Sequence, residues 1–363
     1  MRVERLGAPR VVMCNPDSRH RYFGWPTATR LQDGRLAVVA SGYRLQHVCP
    51  FGKTVISYSE DEGAHYSIPA PVIDTPLDDR DGGILAFGER GIMVTSFNNH
   101  PDEQRRWAAG TAEEGYRIAY LDTLTEEDVR RYLGATFRIS HDGGRVFGPI
   151  YRSPISSPHG PLALPDGRVL WVGRTFSPID RKTEGDRVRA FLVNTEDGSM
   201  THLGDVPNIV SEEGEALLSC EPHAILLSDG RILCHIRVQD TRYTVFTLYE
   251  TLSSDGGRTW SVPRPLLPRN GGAPAHLFRH SSGILISAYG YRQKPYGIRA
   301  MLSRDEGATW EVDRILYEDE NSADLGYPST VELADSSLLT VFYAHPEKDG
   351  TAVILQQRWR LVP

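Results

Sequence analysis

The stretch Ser253-Ser254-Asp255-Gly256-Gly257-Arg258-Thr259-Trp260 decides the fold, because the chain repeats it. Three further copies of the pattern S-x-D-x-G-x-x-aromatic stand at 59–66 (SEDEGAHY), 140–147 (SHDGGRVF) and 303–310 (SRDEGATW). The aspartate can accept hydrogen bonds from N–H groups of its own turn, the glycine supplies a positive φ, and the aromatic ring packs beneath. Each copy therefore predicts a tight hairpin turn. Four copies at intervals of about one propeller blade indicate a repeat architecture.

A second repeat alternates with these aspartate turns. It consists of an apolar run, a short polar turn and another apolar run, and it occurs at 27–41, 83–96, 161–173, 222–236, 273–288 and 328–343. One such hairpin and the strand pair that follows it make a unit of four strands. Six units predict an all-β protein, a six-bladed β-propeller. In the last unit, the first hairpin is followed by only one further strand, at 351–361. We therefore expect residues 10–14 to supply the missing fourth strand of that blade.

The second unit is longer than the others because it carries an insertion at about 98–135. Thr125-Glu126-Glu127-Asp128 predicts a helix start with Thr125 as N-cap, and Gly134 would end that helix. The polar residues before it, 98–115, suggest a mobile loop. We find no domain boundary, so residues 1–363 are expected to form one propeller domain with a short helical insertion in blade 2.

Composition narrows the classes of function. The 363 residues carry a formal net charge of −7, which does not favour a nucleic-acid partner or an anionic membrane surface. The chain has no 18-residue apolar stretch, and its N-terminus lacks the apolar run of a secretion signal. The four cysteines have no metal-ligand spacing. We therefore expect a cytoplasmic protein with no metal and no cofactor.

Candidate functional residues flank the six first hairpins, which should surround the central channel. Arginines, histidines, tyrosines and acids recur in these flanks, while the runs between them are apolar. Several arginines that converge on a concave surface suit a carboxylated sugar, because guanidinium binds carboxylate in a bidentate manner. The flank residues assigned to substrate binding on this ground are Trp25, Arg44, His159, Arg174 and His223.

The aspartate turns, the hairpins and several flanks resemble the sialidase (neuraminidase) superfamily over nearly the whole chain. In that family a glutamate pairs with a tyrosine nucleophile, three arginines hold the sialate carboxylate, and an aspartate is the acid/base. Glu221, with Arg237 at the end of its hairpin, is similar to the family's glutamate and second arginine. Arg292 resembles the third arginine, and Tyr327 in the sequence GYPS resembles the nucleophile.

Two positions depart from the family pattern. The first arginine of the family lies in an R-I-P motif, where this chain has Gly24-Trp25-Pro26. Arg44 matches the arginine after the first hairpin, but 44–56 contains no acid, and His47 alone titrates there near neutrality. The nearest acids are Asp79 and Asp81, on either side of Arg80. Arg80 and Asp81 are therefore expected to supply the missing anchor and acid, for a terminal sugar other than sialic acid.

These features predict an exo-acting, retaining glycoside hydrolase that removes a terminal acidic sugar from a glycan. Tyr327, assisted by Glu221, is the expected nucleophile, and Asp81 first and His47 second are the expected acids. Arg237, Arg292, Arg80 and Arg44 would hold the substrate anion. Two alternatives remain open: a polysaccharide lyase acting on a uronic acid, and a carbohydrate-binding propeller without catalysis.

Overall fold

The fold is a ring of six β-sheets, seen in a computed structural model that describes residues 1–175, 187–211, 214, 216–319, 321–348 and 350–362. Two short strands open the chain, β1 (Arg2–Arg5) and β2 (Arg10–Met13). Blade 1 contains β3 (Tyr22–Arg30), β4 (Leu36–Arg44), β5 (Lys53–Ser59) and β6 (Ala70–Ile73). Blade 2 contains β7 (Arg80–Phe87), β8 (Gly91–Phe97), β9 (Ala135–Ser140) and β10 (Tyr151–Ser153).

The remaining blades repeat this antiparallel order. Blade 3 contains β11 (Ile155–Ser156), β12 (Leu162–Ala163), β13 (Val169–Thr175), β14 (Val188–Val193) and β15 (Met200–Asp205). Blade 4 contains β16 (Leu218–Leu226), β17 (Ile232–Gln239), β18 (Phe246–Ser253) and β19 (Arg264–Pro265). Blade 5 contains β20 (Ala275–Arg279), β21 (Leu285–Tyr291), β22 (Tyr296–Ser303) and β23 (Glu311–Asp319). Blade 6 contains β24 (Gly326–Glu332), β25 (Leu338–Ala344) and β26 (Val353–Val362).

The N-terminal strands close the ring, which confirms the sequence prediction. β2 pairs antiparallel with β26, with Val11 opposite Leu355, and β1 pairs further along the same strand, with Val3 opposite Leu361. The second of these pairings was not predicted. Because β26 has ten residues, its outer edge has room for both short strands. The closure joins the two ends of the chain in one sheet.

The core lies between adjacent blades. The second strand of a blade, such as β4, is buried along almost its whole length because a neighbouring blade covers each face of its sheet. Between blades 6 and 1, Trp25, Val38 and Val341 belong to one buried cluster. This packing explains the continuous apolar runs of the sequence, because a strand buried on both faces has no polar side.

The aspartate turns link the third and fourth strands of their blades, on the side where the first hairpins also turn. Ser253 Oγ and the N–H groups of Arg258 and Thr259 all donate to Oδ1 of Asp255. Trp260 packs beneath the turn, and its indole N–H donates to the carbonyl of Gly257 at 3.1 Å. An aspartate turn also contacts the first hairpin of a neighbouring blade. The N–H of Ala334, in the first hairpin of blade 6, donates to Oε2 of Glu62, in the aspartate turn of blade 1.

The insertion in blade 2 is more ordered than the sequence suggested. It forms α1 (Pro101–Ala108), α2 (Glu114–Leu121) and α3 (Glu126–Tyr132). The capping box of Thr125 and Asp128 is present at α3, as predicted. The prediction of a mobile loop at 98–115 was wrong, because Pro101 stands in the first turn of α1 and Gln104 donates to buried Asp78 at 2.8 Å. Among the described residues, no helix is long and apolar enough to cross a membrane.

Candidate functional site

One backbone feature recurs in the first strands of four blades. Between Gly24 and Thr27, Arg80 and Gly83, Cys220 and His223, and Gly326 and Ser329, the strand register shifts by a β-bulge. The first bulged residue has a positive φ in each case, namely Trp25 (54°), Asp81 (53°), Glu221 (50°) and Tyr327 (50°). The second is proline three times and glycine once.

This bulge explains how four different side chains reach one place. A positive φ is costly for a residue with a Cβ, so such residues persist where the surrounding fold enforces them, often at functional sites. Proline lacks an N–H and belongs at a bulge rather than inside a ladder. All four bulged residues line a single central cavity of about 450 Å³.

Tyr327, Glu221 and Arg237 form a hydrogen-bonded group in this cavity. The Tyr327 hydroxyl donates to Oε1 of Glu221 at 2.7 Å, and Nη1 of Arg237 donates to both carboxylate oxygens at 2.8 and 2.7 Å. The same Nη1 lies 3.2 Å from the Tyr327 hydroxyl. Burial first, and then the Glu221 charge, raise the pKa of Tyr327 well above its ordinary value. The phenol is therefore protonated at rest, with its proton directed at Glu221.

Phe246 orders two of the predicted arginines. The guanidinium carbons of Arg237 and Arg292 lie 4.6 and 5.2 Å from the centroid of the Phe246 ring. Gln239 accepts a hydrogen bond from Nε of Arg237 at 2.8 Å. Nε of Arg292 donates to the carbonyl of Leu325, while its two terminal nitrogens have no hydrogen-bond partner among the described residues. Arg292 can therefore offer both nitrogens to a ligand.

On the blade 1 and blade 2 side, Arg80 stands over Trp25. Its guanidinium carbon is 4.4 Å from the Trp25 ring centroid, and its Nε lies 3.3 Å from Oδ1 of Asp81. Burial raises the pKa of Asp81 above its ordinary value, although the charge of Arg80 acts in the opposite direction. The predicted cluster of Arg80 and Asp81 thus reaches the cavity. Asp79 does not line it; its carboxylate accepts hydrogen bonds from the backbone and side chain of Thr75.

Arg44 occupies a different place from the one predicted. Its side chain is fully buried, and its two terminal nitrogens donate to Asp78 at 2.5 and 3.0 Å. The guanidinium carbon lies 5.0 Å from the centroid of the Trp25 ring. The prediction of substrate contact is therefore corrected: Arg44 supports the cavity wall and does not line it. The buried carboxylate of Asp78 is the physical reason, since it holds the cation away from the channel.

His47 lines the cavity and is held by an acid that sequence reasoning missed. Its Nδ1 lies 2.8 Å from Oδ1 of Asp324, and its ring meets Trp25 edge-on with centroids 4.9 Å apart. Burial lowers the pKa of His47 below its ordinary value, and the bond to Asp324 opposes that shift. Asp324 precedes the predicted flank 325–328 by one residue. An acid that close to the candidate nucleophile was the available signal.

Three histidines meet in the channel outside the cavity lining. The ring centroids of His159, His223 and His276 lie 4.4 to 5.6 Å from one another, and all three side chains are buried. The N–H of Leu277 donates to Nδ1 of His223 at 2.9 Å. The predicted contact of His159 and His223 with substrate is corrected, because neither lines the cavity. No group of three His, Cys, Asp or Glu side chains in the described part of the chain is arranged to hold a metal ion.

Among the described residues, the charged groups of the cavity lining are mostly cationic. Four arginines line it there, against two carboxylates, whereas the whole chain has a net charge of −7. The lining arginines are Arg80, Arg174, Arg237 and Arg292, and the carboxylates are Asp81 and Glu221. Guanidinium groups on a concave surface are able to pair with a carboxylate or a phosphate.

Several lining residues were not predicted. Trp107 and Asn99 come from the blade 2 insertion and its approach, and Tyr243 is an exposed ring from the loop after β17. Asn99 and Tyr243 follow the hairpins at 83–96 and 222–236 by three and seven residues, just beyond the flanks that the sequence analysis considered. The bulged residues carry a local signal, since a proline or a glycine pair within an apolar first strand marks a break in the ladder.

Comparisons with known proteins agree with this architecture. Residues 147–340 match the family of BNR repeat-like domains, which is more than half of the chain. No curated protein sequence matches the chain. A Dyadobacter fermentans protein of unknown function has a similar structure, with a TM-score of 0.76 and 18% identity, over 99% of both chains.

Two enzymes of known name also share the fold at low identity. The NanB sialidase of Streptococcus pneumoniae superimposes with a TM-score of 0.67 and 12% identity, over 98% of this chain and 71% of that one. An α-L-arabinanase of Penicillium chrysogenum superimposes with a TM-score of 0.62 and 13% identity, over 97% of both. The predicted sialidase-like six-bladed fold is thereby confirmed, and the chain belongs to the family of BNR repeat-like domains as a divergent member.

Proposed function

We propose that the protein is a retaining, exo-acting glycoside hydrolase that removes a terminal acidic sugar from a glycan. The observation that carries this proposal is the 2.7 Å hydrogen bond from the Tyr327 hydroxyl to Glu221, inside a cavity whose described lining has four arginines and two carboxylates. An arabinanase and a sialidase share the fold, so the fold alone does not choose the sugar. The choice of an acidic sugar rests on the cavity charge.

In the first half of the reaction, the Tyr327 oxygen attacks the anomeric carbon. The phenolic proton passes to the Glu221 carboxylate, and the bond from the anomeric carbon to the leaving oxygen breaks. One of the two candidate acids, Asp81 or His47, gives its proton to the leaving oxygen. The high pKa of Tyr327 requires this coupling, because a phenol that holds its proton so firmly needs a base in contact during attack.

In the second half, water attacks the anomeric carbon of the tyrosyl sugar and the bond to the Tyr327 oxygen breaks. The phenolate recovers its proton from Glu221, while the deprotonated acid accepts a proton from the attacking water. Two displacements at one carbon leave its configuration retained. All groups return to their starting protonation states.

Two properties of the cavity, its open arginines and its phenol nucleophile, support an acidic sugar. The terminal nitrogens of Arg292 and Arg80 have no hydrogen-bond partner among the described residues, so both can receive a carboxylate. A neutral phenol also approaches a carboxylated sugar without the charge repulsion that a carboxylate nucleophile would meet. Trp25 provides an apolar surface near both Arg80 and Tyr327, with its ring centroid 4.4 Å from the Arg80 guanidinium carbon and 6.5 Å from the Tyr327 ring centroid.

A panel of glycosides tests the proposal. Sialosides, Kdn glycosides, uronides and neutral glycosides are incubated with the wild-type protein and with Tyr327→Phe, and the products are identified by NMR. Release of an acidic sugar with retained configuration by the wild-type protein alone is the expected result. A fluorinated analogue of that sugar should also label Tyr327 covalently, as read by peptide mass spectrometry.

Other outcomes would overturn the proposal. An unsaturated product absorbing in the ultraviolet would mark a polysaccharide lyase. Glycan binding that is equal in both proteins, without turnover of any glycoside, would mark a carbohydrate-binding propeller. Preference for a neutral sugar would contradict the role given to the arginines.

A further inference from the structure

We propose that His47, positioned by Asp324, is the group that protonates the leaving oxygen and later deprotonates the attacking water. This inference rests on the proposed function and decides between the two acids that the sequence left open. Asp324 would be a positioning residue. Asp81 would hold Arg80 and would not donate the proton.

Asp324 is surrounded by four donors, two from blade 1 and two from blade 6. Its Oδ1 lies 2.8 Å from His47 Nδ1 and accepts from the Tyr343 hydroxyl at 2.9 Å. Its Oδ2 accepts from the Tyr22 hydroxyl at 2.9 Å and lies 3.1 Å from Nε2 of His345. Burial alone would raise the pKa of Asp324, but the bonds from His345 and His47 outweigh it and hold that pKa well below its ordinary value. The group is therefore a fixed carboxylate.

A fixed carboxylate determines the state of the histidine. Because Asp324 accepts at Nδ1 of His47, that nitrogen carries a proton in both charge states of the ring. The second nitrogen, Nε2, has no hydrogen-bond partner among the described residues, and His47 lines the cavity. Nε2 is thus the atom that gains and loses a proton, and it belongs to a side chain in contact with the cavity.

Trp25 connects this pair with the nucleophile. The His47 and Tyr327 rings each meet the Trp25 ring nearly perpendicular, at 82° and 83°. Trp25 therefore packs beside both the proton donor and the nucleophile. A buried ring on a bulge with a φ of 54° gives the two groups a common rigid support at one cavity.

Asp81 is less suited to the same task. Its carboxyl group is buried with Oδ1 3.3 Å from Nε of Arg80, and the charge of Glu221 acts on it as well. After donating its proton, Asp81 would be a carboxylate paired with Arg80. A carboxylate in such an ion pair is a poor base for accepting a proton from water. His47 is partly exposed, and its cationic form is stabilised by Asp324. His47 can therefore both donate a proton to the leaving oxygen and accept one from water.

The proton balance is complete without further groups. The reacting form of His47 is the imidazolium, which gives its Nε2 proton to the leaving oxygen and becomes a neutral ring that keeps its proton on Nδ1, hydrogen-bonded to Asp324. In the second step the neutral Nε2 accepts a proton from water. Asp324 remains a carboxylate throughout.

The groups that face His47 set the pH dependence. Asp324 and Tyr22 contact it directly, and Arg80 and Arg44 act on it from beside Trp25. Since the first step requires the imidazolium, kcat/KM should fall as the pH rises through the pKa of His47. Removal of the Asp324 charge destabilises the imidazolium, so Asp324→Asn should move this alkaline limb to lower pH.

Leaving-group dependence tests the assignment. The acidic sugar found in the glycoside panel is prepared with a poor alkyl leaving group and with a 4-nitrophenyl leaving group, which departs without a proton. For His47→Ala we expect kcat/KM to fall by about 10²-fold or more on the alkyl glycoside, and far less on the nitrophenyl glycoside. His47→Gln serves as the second variant, thermal melts establish folding, and His65→Ala, at an exposed aspartate turn, is the matched control.

The outcomes separate the two proposals. A wild-type protein that hydrolyses no glycoside would overturn the proposed function, and this inference with it. A wild-type protein that is active, with His47→Ala and His47→Gln slowed equally on both leaving groups or not at all, would overturn this inference alone. It would equally be overturned if Asp81→Asn showed the leaving-group dependence expected of His47. An alkaline limb that does not move in folded Asp324→Asn would remove the positioning role of Asp324.

Discussion

The hydroxyl of Tyr327 lies 2.7 Å from Oε1 of Glu221, although 106 residues separate them in the chain. Each residue occupies the first position of a β-bulge, and each has a φ of 50°. The same type of β-bulge therefore positions Tyr327 in blade 6 and Glu221 in blade 4. The positive φ turns the side chain out of the ladder and toward the channel.

Loss of the Tyr327 oxygen should abolish turnover and preserve binding. For Tyr327→Phe we expect kcat to fall on the order of 10³-fold or more, because the nucleophile is removed while the aromatic ring remains. Calorimetric titration with the acidic sugar should give a dissociation constant close to that of the wild-type protein. Tyr66→Phe, which loses a hydroxyl at an aspartate turn, should keep full activity. Full activity in Tyr327→Phe would show that Tyr327 is not the nucleophile.

Removal of Arg292 should weaken acidic ligands selectively. Its terminal nitrogens are open to the cavity, so Arg292→Ala should raise the dissociation constant of an acidic sugar by roughly 10- to 100-fold, as for one lost charged hydrogen bond. A neutral analogue of that sugar should bind as it does to the wild-type protein. Arg304→Ala, at the exposed turn of blade 5, is the matched control. Equal weakening of the neutral and acidic ligands would contradict a carboxylate role.

The aspartate turns should affect stability and not the site. Asp255 accepts hydrogen bonds from its own turn, which hold the pKa of Asp255 near 2. Asp255→Ala should therefore lower the Tm, measured by calorimetry, because those donors lose their partner. Affinity for the acidic sugar should stay at the wild-type value, since this turn lies with the first-hairpin turns, at the ends of the strands away from the cavity. Lost affinity without a lower Tm would argue against this separation.

The three buried histidines should make the fold sensitive to acid. Burial lowers the pKa of His223 to about 3, and it lowers those of His159 and His276 as well. Unfolded histidine binds a proton below about pH 6.5, whereas these folded histidines remain neutral. The free energy of unfolding should therefore be highest above that pH and fall as the pH decreases, by up to about 2 kcal/mol per histidine at pH 5.

Urea unfolding at pH 7 and pH 5 measures this effect. His223→Gln should lose less stability between the two pH values than the wild-type protein does, because one depressed pKa is gone. His65→Ala should behave as the wild-type protein, since His65 is exposed. An equal pH dependence in wild-type protein and His223→Gln would show that the buried cluster does not control acid stability.

The sequence by itself determined the type of fold and the number of blades. The four aspartate turns satisfy their own backbone within eight residues, so local chemistry specifies them wherever they stand. The six apolar hairpins followed from the same kind of short-range pattern. The strand from 10–14 was predictable because the last unit lacked a partner. Glu221, Arg237, Arg292 and Tyr327 were placed by their distance from these turns and by family resemblance.

Only the tertiary structure decided which charged groups face the channel. Arg44 and Arg80 both flank first hairpins, yet Asp78 holds Arg44 in the wall while Arg80 reaches the cavity. The role of Asp324 became visible only where blades 1 and 6 meet, because Tyr22 and His47, which donate to it, lie 302 and 277 residues away in the chain. A hairpin is set by contacts within a few residues. The direction of a buried charge is set by the nearest opposite charge in space, which a linear sequence does not show.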